Sequence, residues 1–406
     1  NSYGTKTANA GEIVGRQLGG TVGTNTHENV TIITLTEQNY VTSQESFEAA
    51  LSAGGKIYLG KSTASRAVTA DYVWKPASKS FEIIAVEDGV VIDMNNATQK
   101  VLCANASVAA SFEGVTLNYT NVDYAGFHHS VSETYKNCHI NGVVWTYAPK
   151  ATFEGCTFNQ TGDAYNIWMY GAATISVKGC EFTSYCKSIL IYSEGANKYD
   201  VTIENSTFNS ANYDNKAAVQ MHTEKGISGT LTMNNVTVSG AYLQFPSNGG
   251  LYNEINKDTG LNTNNFVKII NGVTYIADGL SSKGNTYNVS NANGLVALSK
   301  MTIEAGKVAE LTANINLEGI EFTGLNAFNP EEKNTFDGQG YTISNWNYEG
   351  GASDMGFIKN WVGQIKNIKF YDCHLKTAGR SAVVAAKVYG DIDNVKGLWY
   401  YRRSIQ

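Results

Sequence analysis

At 406 residues the chain is long enough to bury two hydrophobic cores. Its 30 basic and 36 acidic residues are interspersed and leave a formal charge of −6, which offers no basic stripe for nucleic acid and no polybasic anchor for a membrane. Only 4 Pro stand against 40 Gly, a balance that suits short strands joined by tight bends, because Pro removes hydrogen-bond donors from central strands.

Residues 1 to 35 form a Gly- and Thr-rich leader, with Gly19-Gly20-Thr21-Val22-Gly23 at its centre, and are expected to be extended. The start at Asn1-Ser-Tyr-Gly4 carries no basic-then-apolar targeting pattern, so the chain is expected to be a mature or trimmed secreted product. No run of about 18 apolar residues is present for a transmembrane helix. From Ser43 to Leu51 the pattern predicts a short helix, with Ser43 as cap and Phe47, Ala50 and Leu51 on one apolar stripe. Such a helix would close the start of a solenoid, whose first rung otherwise exposes an unpaired edge. Strands follow at Gly54–Leu59, Glu82–Val86 and Val90–Met94.

Between Phe112 and Val238 one six-residue phrase recurs, beginning at Phe112, Tyr135, Phe153, Val177, Ile203 and Met233. The starts are 23, 18, 24, 26 and 30 residues apart, which fits solenoid turns with loops of variable length. Each phrase reads apolar, polar, Gly or Asn, small, polar, apolar. A strand therefore enters, bends at a residue that tolerates left-handed dihedrals, and leaves as another strand. The expected fold is all-β, a right-handed parallel β-helix.

Cys138, Cys156 and Cys180 share one slot of three successive phrases, a stack of small buried thiols, while Cys103, Cys186 and Cys373 are isolated; no disulfide framework and no metal or other cofactor is expected. His128 and His129 are adjacent, so on a strand they face opposite ways and make a poor metal pair.

Aligning the later strands of each turn gives Val144-Trp-Thr-Tyr147, Ile167-Trp-Met-Tyr170, Ile189-Leu-Ile-Tyr192 and Val219-Gln-Met-His222. The alternate set beginning Val144, Ile167, Ile189, Val219 belongs inside. The period-two rule then sends Trp145, Trp168, Leu190 and Gln220 outward in one column, and Tyr147, Tyr170, Tyr192 and His222 in the next. Aromatic faces there match the C–H faces of sugar rings, with Asp163, Asn166 and His222 near enough in sequence to bind hydroxyls. Cover by loops, the leader or the 240–284 segment, which contains Tyr242, Phe245 and Tyr252, is the competing expectation.

The repeat is interrupted near 240–284, where Phe266–Ile270 and Val273–Ala277 flank Asn271-Gly272, the signature of a hairpin. A second solenoid start follows, with a lid-like Ser290–Leu298 and a strand in Val308–Leu317. Three domains are thus expected: a leader over 1–35, a first β-helix with its capping helix and hairpin insert over 36–284, and a second β-helical segment over 285–406.

Phe336-Asp-Gly-Gln-Gly-Tyr-Thr-Ile343, Gly363-Gln-Ile-Lys-Asn-Ile-Lys-Phe370 and Gly390-Asp-Ile-Asp-Asn-Val395 resemble the GLUG-repeat β-helices of bacterial surface adhesins. The first solenoid looks like the pectate-lyase-type β-helix superfamily, whose members include lyases, hydrolases, phage tailspikes and inert adhesins. The Asn-Thr-Asp, Asp-Asp and Arg-Ile-Lys strings of polygalacturonase-like enzymes are missing, as is an acidic cluster for the calcium of pectate lyases. The expectation is a non-catalytic secreted or cell-surface protein. Trp145, Tyr147, Trp168, Tyr170, Tyr192, His222 and Asp163 would bind a glycan or a host-surface macromolecule, and a homo-oligomer is open. A polysaccharide lyase or glycoside hydrolase is the rival reading, and a virion spike the third.

Overall fold

The computed structural model describes residues 40–398 apart from 64–69, 95–101, 120–129, 172, 194–197, 215, 224–227, 245–247, 257–264, 326–333, 352–353 and 362. The expected leader, the His128–His129 pair and Phe245 lie outside the described residues. The chain is an all-β parallel solenoid of about 11 turns with two α-helices among the described residues. It divides into two compact units, Asn1–Phe266 and Val267–Gln406.

In the first unit the helix spans Gln44–Ala53. Ser43 caps it and forms a reciprocal capping box with Ser46, while Phe47, Ala50 and Leu51 are its buried stripe. Phe47 packs on Tyr72 at 4.9 Å and on Trp74 at 5.9 Å, which seats the helix on the first rung.

The recurring phrase works as its composition dictates. Its third residue has positive φ in all six copies: Gly114 72°, Asn137 51°, Gly155 62°, Gly179 61°, Asn205 50° and Asn235 51°. Gly and Asn are the residues that enter this region with little strain, so the bend is written locally. The strands on either side then align in register from turn to turn. Phe112, Tyr135, Phe153, Val177, Ile203 and Met233 form one inward column. Leu117, Ile140, Phe158, Phe182, Phe208 and Val238 form another beyond the bend. Rings in these columns stack nearly parallel, Tyr135 on Phe153 at 4.9 Å and 4°, Phe158 on Phe182 and Phe182 on Phe208 at 4.4 Å. Each fully buried Phe contributes about 1.5–3 kcal/mol by desolvation, and each ring pair adds ~0.5–1.5 kcal/mol.

Cys138, Cys156 and Cys180 sit buried just past the bend, and all six cysteines are free thiols. The Sγ of Cys156 donates to the carbonyl of Tyr135 on the previous rung at 3.3 Å. Asparagines at the bends bridge rungs through their amides, as in Asn235 Nδ2 to Asn205 Oδ1 at 2.9 Å.

In the second unit Ile270 pairs with Val273 across Asn271 (φ 49°) and Gly272 (φ 75°), the hairpin expected from Asn-Gly. Antiparallel pairing continues through Leu280–Lys283 and Thr286–Val289, and a helix follows at Ala292–Ser299, capped by Asn291. Parallel rungs then resume at Val308–Leu311, Asn334–Asp337, Gly363–Lys366 and Asp391–Asp393. The bend residue is again positive, Asn367 at 54° and Asn394 at 47°, and Asn394 Nδ2 donates to Asn367 Oδ1 at 2.9 Å. Phe336, Trp346, Phe357 and Phe370 fill this core in edge-on rather than parallel contacts. No helix among the described residues is long and apolar enough to cross a membrane.

Candidate functional site

A third sheet of five parallel strands begins in the middle of the first unit: Val144–Thr146, Ile167–Tyr170, Ile189–Ser193, Val219–Thr223 and Tyr252–Asn256. The register sets Trp145 beside Trp168, then Leu190, then Gln220, and sets Tyr170 beside Tyr192, then His222. Both outward columns therefore exist as the alternation requires. Their environments differ.

In the first column Trp145 is 5% exposed and Leu190 and Gln220 are each 2% exposed, while Trp168 is half-buried. The indoles of Trp145 and Trp168 stack at 4.7 Å and 12°, so the faces they turn to one another are closed to a ligand. Tyr165, from the loop just before the Trp168 strand, meets Trp168 edge-on at 5.8 Å, and its hydroxyl donates to Gln220 Oε1 at 2.9 Å. A tyrosine thus crosses from one rung to another two strands along and closes the column. Burial holds the Tyr165 phenol well above its ordinary pKa, so it stays a donor.

The Tyr165 loop is tied down by charge. Lys187 Nζ lies 2.6 Å from Asp163 Oδ1, 3.7 Å from Asp214 Oδ2 and 5.5 Å above the Tyr165 ring. The buried Cys186 Sγ donates to Asp163 Oδ1 at 3.1 Å. Lys187, and then Cys186, lower the Asp163 pKa; burial and the Asp163 hydrogen bond push the Cys186 thiol up to about 12. Asp163, Cys186 and Asp214 offer ligand atoms within 4.8 Å of one another, but the Lys187 ammonium already supplies the cation there. Asp163, expected among the sugar ligands, is held by Lys187 and Cys186 beside the Tyr165 loop, with its side chain 71% exposed.

The second column stays half-buried throughout. Tyr147 and Tyr170 lie 4.6 Å apart at 57°, Tyr170 and Tyr192 5.0 Å at 44°, and Tyr192 and His222 5.4 Å at 72°. The rings are tilted against one another rather than stacked, one ring per rung. From the core side, Tyr199 donates its hydroxyl to the Tyr192 carbonyl at 2.6 Å and fixes that strand. Tyr242 from the 240–284 segment does not lie over this column: it is buried, with its hydroxyl between Ser184 Oγ at 2.9 Å and Ser188 Oγ at 2.8 Å.

Sequence patterning located both columns but missed Tyr165, Lys187, Asp214 and Cys186. The only trace of the loop was its composition, Tyr165 and Lys187 each lying just before an apolar strand, and nothing local says that a phenol will reach across two rungs. Compared with family models, with curated proteins and with solved structures, the chain gives no match in any of the three.

Proposed function

We propose that the chain is a non-catalytic, secreted or surface-displayed solenoid that binds carbohydrate along Tyr147, Tyr170, Tyr192 and His222. Kinship with pectate-lyase-like and GLUG-repeat surface proteins belongs to the same reading. The observation that carries it is a continuous half-buried column of rings, spaced 4.6, 5.0 and 5.4 Å, beside a column that its own loop closes. Tilted phenols offer a sugar both C–H contact and hydroxyl partners.

Asp163 and Asp214 are the observation a hydrolase reading would use, since their oxygens approach within 4.8 Å. A general acid needs a raised pKa, whereas Lys187 lowers that of Asp163. The deciding experiment is a glycan array with polysaccharide depletion, comparing the wild-type chain with a Tyr170→Ala/Tyr192→Ala variant and recording any new reducing or unsaturated ends. Retention by wild type alone with no new ends supports the binding reading. New ends replace it with an enzyme, and equal retention by both proteins removes this column as the site.

A further inference from the structure

On one rung of the first unit a carboxyl group stands inside the core among apolar neighbours. The inward column of the long sheet runs Phe81, Ala110, Glu133, Ala151, Ile175, Val201 and Leu231. The inward column of the five-stranded sheet runs Thr146, Met169, Ile191 and Met221 and ends at the half-buried Glu254. A carboxyl group and a hydroxyl thus replace aliphatic side chains on the same rung, and both residues are fully buried. Alanines on the rungs before and after Glu133 leave the room a carboxyl group needs.

The pair is satisfied on every side that the described residues define. Ser130 Oγ and Thr146 Oγ1 donate to Glu133 Oε1 at 2.7 and 2.6 Å, and the Tyr135 hydroxyl donates to Oε2 at 3.0 Å. Thr146 Oγ1 also accepts from the Ala148 amide at 2.9 Å. Its hydroxyl therefore joins the core carboxyl group to the backbone on the far side of Tyr147. That strand needs such a tie, because Val144–Thr146 is three residues long and among the described residues it pairs only with Ile167–Tyr170. A buried carboxyl group with three hydroxyl donors is costly to disturb, so the arrangement holds the rung in one register.

We propose that Glu133 is a positioning residue for the tyrosine column: acting through Thr146, it fixes the backbone that turns Tyr147 outward at the column's first rung. The effect on ligand rests on the binding reading above, whereas the effect on the strand does not.

The test is residue-resolved amide exchange on the full chain, together with glycan affinity, for Thr146→Val and Thr146→Ser. Valine keeps the branched shape without the hydroxyl, and serine keeps the hydroxyl. In Thr146→Val the amides of residues 145–148 should exchange about tenfold faster relative to those of residues 189–193, and the circular-dichroism couplet of the stacked Trp145 and Trp168 should weaken. Thr146→Ser should match wild type in both. Wild-type exchange in Thr146→Val, or exchange as fast in Thr146→Ser, would overturn the proposal. If Thr146→Val does not fold, Glu133→Leu serves, since it removes both acceptor oxygens at nearly the same volume and leaves the Thr146 hydroxyl and its bond from the Ala148 amide in place; faster exchange confined to 145–148 is expected, and wild-type exchange overturns the assignment. Glycan affinity should fall about tenfold in Thr146→Val and be kept in Thr146→Ser; unchanged affinity despite faster exchange would refute the positioning role. A wild-type protein that retains no glycan sinks the binding reading alone, and the exchange comparison then decides the role of Glu133.

Discussion

Two ladders of rings run along the first unit at the same rung spacing, one inside and one outside, and they do not look alike. Inside, Phe158, Phe182 and Phe208 stack at 4.4 Å with planes 4° and 6° apart. Outside, Tyr147, Tyr170 and Tyr192 are separated by 4.6 and 5.0 Å and tilt by 57° and 44°. A parallel solenoid repeats every ~4.8 Å and brings like residues together on either face. Equivalent positions on successive rungs set these inner rings one above the other, and neighbours on all sides keep them in that one orientation. The outer rings are half-buried, so close packing does not constrain them on every side and part of each stays exposed. The pattern of a ladder is set by register, and its availability by what covers it.

The comparison breaks most easily at the inner ladder. Phe182→Ala should destabilise the chain by about 3–5 kcal/mol through lost burial and a cavity between two stacked rings, measured by denaturant unfolding. Tyr170→Ala on the outer ladder should lose less, about 1–3 kcal/mol, the worth of its two ring contacts. Equal losses would mean that the outer rings are packing and nothing more.

The next effect tests the bend that sets both ladders. Gly155 has φ 62°, and a Cβ placed there would lie 2.4 Å from Asn137 Oδ1 on the preceding rung. Gly155→Ala should therefore lose at least about 1–2 kcal/mol, read from the unfolding midpoint. An alanine tolerated at wild-type stability would show that the bend residue is not what holds the turns in register.

Smaller effects separate the two outward columns. Tyr165→Phe removes the hydroxyl that reaches Gln220 and leaves the ring, so it should cost about 0.5–1.5 kcal/mol, the usual net worth of one hydrogen bond. Protection of the amides near Gln220 should fall with it, and unchanged protection would show that the phenol does not close the column.

Acid gives the smallest change. Lys187, and then Cys186, hold the Asp163 carboxyl below its ordinary value. A depressed folded pKa means that the contribution is present above the unfolded value, near ~3.9, and is lost as pH falls through the folded one. The Asp163–Lys187 tie should thus persist from neutral pH down to roughly 4 and loosen below it, a step that Asp163→Asn should abolish. Asp163 is 71% exposed at its side chain, so the step should appear in local tyrosine signals more than in global stability. A step unchanged in Asp163→Asn would assign it to another carboxylate.

The sequence by itself determined the bends and the alternation. Asn137, Asn205 and Gly155 declare left-handed turns because few other residues enter that region cheaply, and Phe153 and Phe158 on either side of one bend declare two inward columns. The capping helix and the Asn271-Gly272 hairpin were legible for the same reason, since a cap and a turn are satisfied within a few residues. Only the tertiary structure decided which outward column a loop would close and which core rung would carry a carboxyl group. Tyr165 meets Gln220 across 55 residues and Thr146 meets Glu133 across 13, contacts fixed by loop path and rung stacking. Local propensity acts over a few residues, whereas cover and polar pairing depend on which turns the finished solenoid brings side by side.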